Sequence, residues 1–146
     1  MGESNYREFI RKTKLTENPE IELEEVGVPH QLKWNRCKLE TISFGHGITT
    51  TPLQATALYA AMSNGGKLIK PSLIKDRKIQ NFKTIISNDT SKKLNNILRK
   101  VVTSKTGTAS LADKDGYYVG GKTGTAESYG DTRNRINTFV SIFPTN

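Results

Sequence analysis

Lys122, Thr123 and Thr125 stand close together in the segment Gly120-Gly121-Lys122-Thr123-Gly124-Thr125-Ala126-Glu127. A lysine gives a positive field and two threonines give hydroxyl donors, a set that can hold a carboxylate. Gly121 and Gly124 carry no Cβ, so an extended ligand can lie against a strand that presents them. The same five letters, Lys-Thr-Gly-Thr-Ala, also occur at Lys105–Ala109. That copy follows a helix end and leads into the polar Asp113-Lys114-Asp115-Gly116, so it is expected in a loop, without a catalytic role.

A nucleophile is harder to find. One serine has a lysine three residues on, in Ser72-Leu73-Ile74-Lys75. A serine activated in this way normally opens a helix, which puts it one turn from its lysine on the same face. Ser72 follows Pro71 in an extended segment and does not fit. No serine has an asparagine two residues later, and His30 and His46 form no triad with a plausible nucleophile. His46 is read as structural. Cys37 is the sole cysteine, which excludes an internal disulfide and a cysteine-based metal site.

The elements that must position these residues follow from local signals. Thr51-Pro52-Leu53-Gln54 has capping-box spacing, with Pro at the first helical position, and Gly65-Gly66 supplies the stop. The small residues Ala55, Ala57, Ala60 and Ala61 make this an interior helix. A second helix is expected after caps offered by Asn88, Asp89, Thr90 and Ser91. Its stripe is Leu94, Ile97, Leu98, Val101 and Val102, with Asn95, Asn96, Arg99 and Lys100 facing away. Gly116–Glu127 and Arg135–Phe143 read as an antiparallel hairpin joined through Gly130. Two short extended segments, Lys67–Lys75 and Lys78–Ile86, lie between the helices. Residues 1–40 read as irregular, with a helical turn over Tyr6–Lys12 and Trp34 packed as an anchor. The fold class is α+β.

The 146 residues have room for one domain or a piece of a larger one. Hydrophobic residues make up 34% and charged ones 25%, a lean core. No apolar run is long enough to span a membrane, and the first residues are no signal peptide. The net charge of +8 is scattered rather than blocked and comes with no nucleic-acid-binding signature, so no nucleic-acid partner is expected.

Two blocks carry a family resemblance. One is the Gly-Gly-Lys-Thr-Gly-Thr-Ala-Glu segment after Tyr117-Tyr118-Val119. The other is Phe44-Gly45-His46-Gly47-Ile48-Thr49-Thr50-Thr51-Pro52-Leu53-Gln54, with its Asn64-Gly65-Gly66 exit. Together, in this order and spacing, they resemble the transpeptidase domain of class B, division-type penicillin-binding proteins over about residues 5–146.

The resemblance implies a partial serine β-lactamase/penicillin-binding transpeptidase fold, an antiparallel hairpin packed with helices. It implies a peptidoglycan D,D-transpeptidase, which transfers an acyl group through a serine ester and is acylated by β-lactams. Lys122, Thr123, Gly124 and Thr125 would bind the substrate carboxylate. Lys122 would also be catalytic, as would Thr125, whose backbone N–H would form half of the oxyanion hole. The family's Ser-x-x-Lys and Ser-x-Asn motifs lie upstream of the first block and are missing here.

The expectation is therefore that residues 1–146 are the C-terminal portion of such a domain, without the nucleophile half, the last strand or the last helix, and not a complete enzyme alone. No cofactor or metal is implied. Partners would be the peptidoglycan stem peptide, β-lactams and other cell-wall synthesis proteins. The implied location is the bacterial cell envelope, at the periplasmic face of the inner membrane, though the chain has no targeting segment. The alternative is a stand-alone, non-catalytic basic α+β binding module.

Overall fold

The computed structural model describes residues 2–75, 83–128 and 131–145. The elements run α1 (Glu3–Thr13), α2 (Lys38–Ser43), α3 (Pro52–Ser63), β1 (Lys67–Leu68), β2 (Lys83–Thr84), α4 (Asn88–Thr103), a 3-10 turn (Ser110–Ala112), β3 (Gly120–Ser128) and β4 (Asp131–Ile142). They form two compact units. One holds the chain up to Ala61 with Lys67–Ile85; the other holds Met62–Gly66 with Ile86 onward.

In the first unit, α1 is longer than the single turn expected. Glu3 opens it and Arg11 and Lys12 close it, matching the helix dipole. The pairs Glu3–Arg7 and Glu8–Lys12 tie successive turns. Its inner face buries Ile10 and Thr13, and the Thr13 hydroxyl donates to the Ile10 carbonyl at 2.7 Å. α2 was not expected: six residues are too few to show a period, and its start rests on Cys37 at φ 64°. Trp34 is half-buried, not a core anchor; its ring lies 4.6 Å beneath the Arg7 guanidinium.

The expected capping box opens α3. The Gln54 N–H donates to Thr51 Oγ1 at 3.2 Å, and Gln54 Oε1 accepts from the Thr51 N–H at 3.1 Å. The same side chain donates through Nε2 to the carbonyls of Lys14, at 2.9 Å, and Glu17, so it also fixes the chain leaving α1. α3 is less interior than expected: Ala61 is its one buried residue, while Leu53, Ala57, Leu58 and Tyr59 are half-buried. A helix that is apolar all round needs neighbours all round. The described part of its unit covers it only in part. Of the two extended segments, two residues each form strand, with Lys67 opposite Thr84 and Leu68 opposite Lys83. Residues 76–82 lie outside the described residues.

The second unit positions the Lys-Thr-Gly strand. The cap of α4 is Ser87, whose hydroxyl accepts from the Thr90 N–H at 3.1 Å; the four expected caps lie inside the helix. Ser91 is buried, donating to the Met62 carbonyl and accepting from the Gly65 N–H at 3.1 Å. Gly65 and Gly66 have φ of 84° and 88°, as a helix exit requires. A Cβ on Gly66 would lie 2.0 Å from the Ile86 carbonyl oxygen.

Leu98 and Val102 of the α4 stripe are buried, as are Ala109, in the loop after α4, and Ile142 of β4. Ile97, expected among them, is 56% exposed. Arg99, expected to face away, turns inward: one guanidinium nitrogen donates to Asp113 Oδ1 at 2.8 Å and to the Val119 carbonyl at 2.7 Å. Asn95, also expected outward, is half-buried. The face that meets β3 is thus wider than the apolar stripe and includes a charged edge.

The expected hairpin is present and antiparallel, with Gly120 opposite Ile142 and Glu127 opposite Arg135. Its first strand starts later than expected, because Gly116 (φ 83°) and Tyr118 (φ 30°) cannot be extended. Its second strand starts earlier, at Asp131, across a register irregularity between Glu127 and Ser128. Gly130 of the expected connection lies outside the described residues.

Candidate functional site

β3 alternates its faces, so Thr123 and Thr125 share one side while Lys122 and Gly124 share the other. Thr125 donates its hydroxyl to Asn137 Oδ1 at 3.1 Å, its partner across the hairpin. Thr123 donates to Thr108 Oγ1 at 2.9 Å. Lys122 is exposed, and its ammonium donates to the Thr123 carbonyl at 2.8 Å. The structure therefore brings Thr123 and Thr125 together directly. Lys122 joins them from the opposite face, with its ammonium turned back toward the strand.

Gly121 and Gly124 make room within the hairpin. Space beside Gly121 is already taken: a Cβ there would meet the Val140 carbonyl oxygen at 2.6 Å and the Phe139 ring at 2.7 Å. At Gly124 a Cβ would meet Thr138 Oγ1 at 2.7 Å. Their missing side chains admit β4. The remaining access to β3 is along its other edge: β3 has β4 as its one strand partner among the described residues.

β3 enters the site at a defined height. Gly120 is buried against the α4 backbone, where a Cβ would lie 3.1 Å from the Arg99 nitrogen. Arg99 holds the Val119 carbonyl one residue earlier, and Thr145 donates through its N–H, at 3.1 Å, and its hydroxyl, at 2.8 Å, to the Tyr118 carbonyl.

The second Lys-Thr-Gly-Thr-Ala copy is a loop, as expected, and it touches β3 through Thr108. Gly107 packs on the last turn of α4, where a Cβ would lie 2.1 Å from the Val101 carbonyl oxygen, and Ala109 is buried. Between them Thr108 meets Thr123. No period or motif relates these two threonines, so local reading could not pair them.

Ser72 is not poised for attack. Its segment is non-helical, and its hydroxyl donates to Glu22 Oε1 at 2.9 Å while accepting from the Ile74 N–H at 3.1 Å. His46 is exposed, its ring centroid 5.1 Å from that of Phe44. Among the described residues there is no group of three or more His, Cys, Asp or Glu side chains suited to a metal ion. No helix of the described residues is long and apolar enough to cross a membrane.

Comparison with known proteins gives this geometry its context. The chain is 32% identical, over 99% of its own length, to a protein of Caulobacter vibrioides named probable peptidoglycan D,D-transpeptidase FtsI, of which it covers 26%. It is 35% identical, over 71% of its length, to stage V sporulation protein D of Bacillus subtilis, of which it covers 18%. The chain thus spans about a quarter or less of these relatives.

Among solved structures, the apo transpeptidase domain of Burkholderia pseudomallei penicillin-binding protein 3 superposes with a TM-score of 0.85 at 25% identity, over 97% of this chain and 45% of that one. The fold of apo penicillin-binding protein 3 from Mycobacterium tuberculosis matches with a TM-score of 0.89 at 24% identity, over 99% of this chain and 38% of that one. A family model described as the penicillin binding protein transpeptidase domain matches residues 1–146. With its threonine-lined Lys-Thr-Gly strand and its partial α+β fold, the chain belongs to the penicillin-binding protein transpeptidase family.

Proposed function

We propose that residues 1–146 are the C-terminal portion of a peptidoglycan D,D-transpeptidase domain and supply its carboxylate-binding strand. The observation that carries this reading is the placement of Thr123 and Thr125 on one face of a strand whose far edge has no partner among the described residues. A stem peptide lies extended along that edge, and its terminal carboxylate meets the two hydroxyls. Lys122 adds positive charge from the other face. Once the scissile carbonyl is attacked, the Thr125 N–H donates to the developing oxyanion, an interaction of the kind worth about 3 kcal/mol in the transition state.

The attacking serine and its base come from the part of the domain upstream of this chain. β-Lactams carry a carboxylate beside a reactive carbonyl, so they occupy the same site; one solved relative of the same fold is a complex with ampicillin. The enzyme acts at the periplasmic face of the inner membrane, where the stem peptides are cross-linked and where other cell-wall synthesis proteins are its partners.

Labelling with a fluorescent penicillin tests the reading. The complete domain becomes labelled, and changing both Thr123 and Thr125 to valine slows labelling about 100- to 10,000-fold, the worth of two hydrogen bonds to a charged group. The 146-residue chain alone stays unlabelled. A labelled band from this chain that vanishes with Ser72→Ala refutes the assignment of the nucleophile to an upstream segment. Unchanged labelling of the double valine variant refutes the carboxylate site.

A further inference from the structure

We propose that Thr108, in the loop copy of Lys-Thr-Gly-Thr-Ala, is a positioning residue that turns the Thr123 hydroxyl proton toward the bound carboxylate; this rests on the function proposed above.

A threonine hydroxyl has one proton to donate and two lone pairs to accept with. In the structure the Thr123 proton is committed to Thr108 Oγ1, 2.9 Å away. A carboxylate only accepts. Thr123 can serve it only by turning that proton away from Thr108. Its oxygen then faces Thr108 with lone pairs alone, and the bond between the threonines survives if Thr108 donates instead.

The reversal needs two O–H rotations and a small turn of the Thr108 side chain, since in the structure only the Thr123-to-Thr108 direction has donor geometry. The arrangement changes from one hydrogen bond to two in series, Thr108 to Thr123 and Thr123 to carboxylate. Bonds in such a chain polarise one another, and the last is charge-assisted.

The loop is built to keep Thr108 in reach. Gly107 fits against the Val101 carbonyl where no Cβ could, Ala109 is buried, and the Gly107 N–H donates to the Ser104 carbonyl at 2.8 Å. The Thr108 hydroxyl is therefore carried by the end of α4, and the Thr123 hydroxyl by β3. Arg99 ties the same helix to the carbonyl just before that strand.

Two measurements test the proposal. In the 146-residue chain, side-chain scalar couplings report the χ1 rotamer of Thr123. One rotamer is expected in the parent, averaging in Thr108→Val, and a single rotamer again in Thr108→Ser. In the complete domain, acylation rates are compared for a penicillin and its methyl ester. Thr108→Val is expected to slow acylation by the acid about three- to ten-fold, the range for one hydrogen bond. The loss with the ester should be smaller, and Thr108→Ser should stay within about two-fold of the parent. Thr108→Ala at this exposed position gives the same reading if the valine variant does not fold.

An unchanged Thr123 rotamer, or equal losses with acid and ester, overturns the proposal. If Thr123→Val itself leaves acid acylation unchanged, the carboxylate reading fails. If Thr123→Val is damaging but Thr108→Val is neutral, only the positioning role fails.

Discussion

Lys105 and Lys122 head identical five-residue sequences, and both side chains are exposed. What separates them is the backbone that carries them. Lys122 is on β3, with its ammonium 2.8 Å from the Thr123 carbonyl; Lys105 is on the loop after α4. In the complete domain Lys122→Ala should therefore cost about 1.5–3 kcal/mol of acylation free energy, the worth of a charge-assisted contact. Lys105→Ala should stay within about 0.5 kcal/mol, as for a solvated side chain. Acylation rates of the two variants with one β-lactam at one pH decide between them. Equal losses would remove β3 from the site.

At this scale the residue types were legible in the sequence, because a lysine and two threonines advertise their chemistry. The partners were not. Thr108 reaches Thr123 through a tertiary approach of a loop to a strand, and Gly121 and Gly124 make room for Phe139, Val140 and Thr138, which only the hairpin register brings alongside.

At the scale of elements, α4 sets the height of β3 through Arg99. Its side chain is half-buried, and its guanidinium bridges Asp113 and the Val119 carbonyl. Arg99→Met keeps the apolar stem but leaves the carbonyl without its donor, and should cost about 2 kcal/mol of stability. Urea unfolding monitored together with amide exchange at Gly120–Thr123 measures this; protection there should fall before protection in the middle of α4. Uniform loss along the unit would show that Arg99 does not anchor β3 in particular.

In the other unit, the Lys14 ammonium hydrogen-bonds Glu20 and holds its carboxyl below the usual glutamate range, against the opposing effect of partial burial; Lys70 adds to it. A carboxylate with a depressed folded-state pKa stabilises the fold above its unfolded pKa, and that contribution is lost as the pH falls through the folded value. Carbon-13 titration should give Glu20 a lower midpoint in the folded chain than in urea. A midpoint at or above the urea value would mean the Lys14 contact does not hold in solution.

Local signals located the long elements well, since the capping box of α3 and the stripe of α4 are short-range patterns. They failed at boundaries set by tertiary contact. Ser87 lies just outside the candidates for the α4 cap, Ile97 lies on the stripe but is not covered, and Arg99 satisfies a carbonyl twenty residues away.

For the whole molecule, the fold class and family were legible because two separated blocks appear in the right order. The packing was not, because it depends on what covers each face. The second unit buries four apolar side chains among its described residues, Leu98, Val102, Ala109 and Ile142. Tyr117, Tyr118, Ile136, Phe139 and Phe143 of the same unit are exposed. β4 has β3 as its one strand partner among the described residues, so its other edge carries no further strand and lies beside exposed apolar side chains. Such an edge is a template for a further strand.

In the complete domain, on the function proposed above, the next strand of the fold takes that place. In the 146-residue chain a second copy can take it. The chain should therefore associate with rising concentration, with a light-scattering mass above that of the 16.2 kDa monomer. Placing lysines at Ile136 and Phe143, both exposed on or beside β4, should restore the monomer by putting like charges where two copies would meet. Amide exchange along β4 supplies the second reading, with protection at Asn134–Ile142 rising with concentration in the parent and staying constant in the lysine variant. A parent that stays monomeric at every concentration, or association that the lysines leave unchanged, would show that the β4 edge is not the surface on which copies meet.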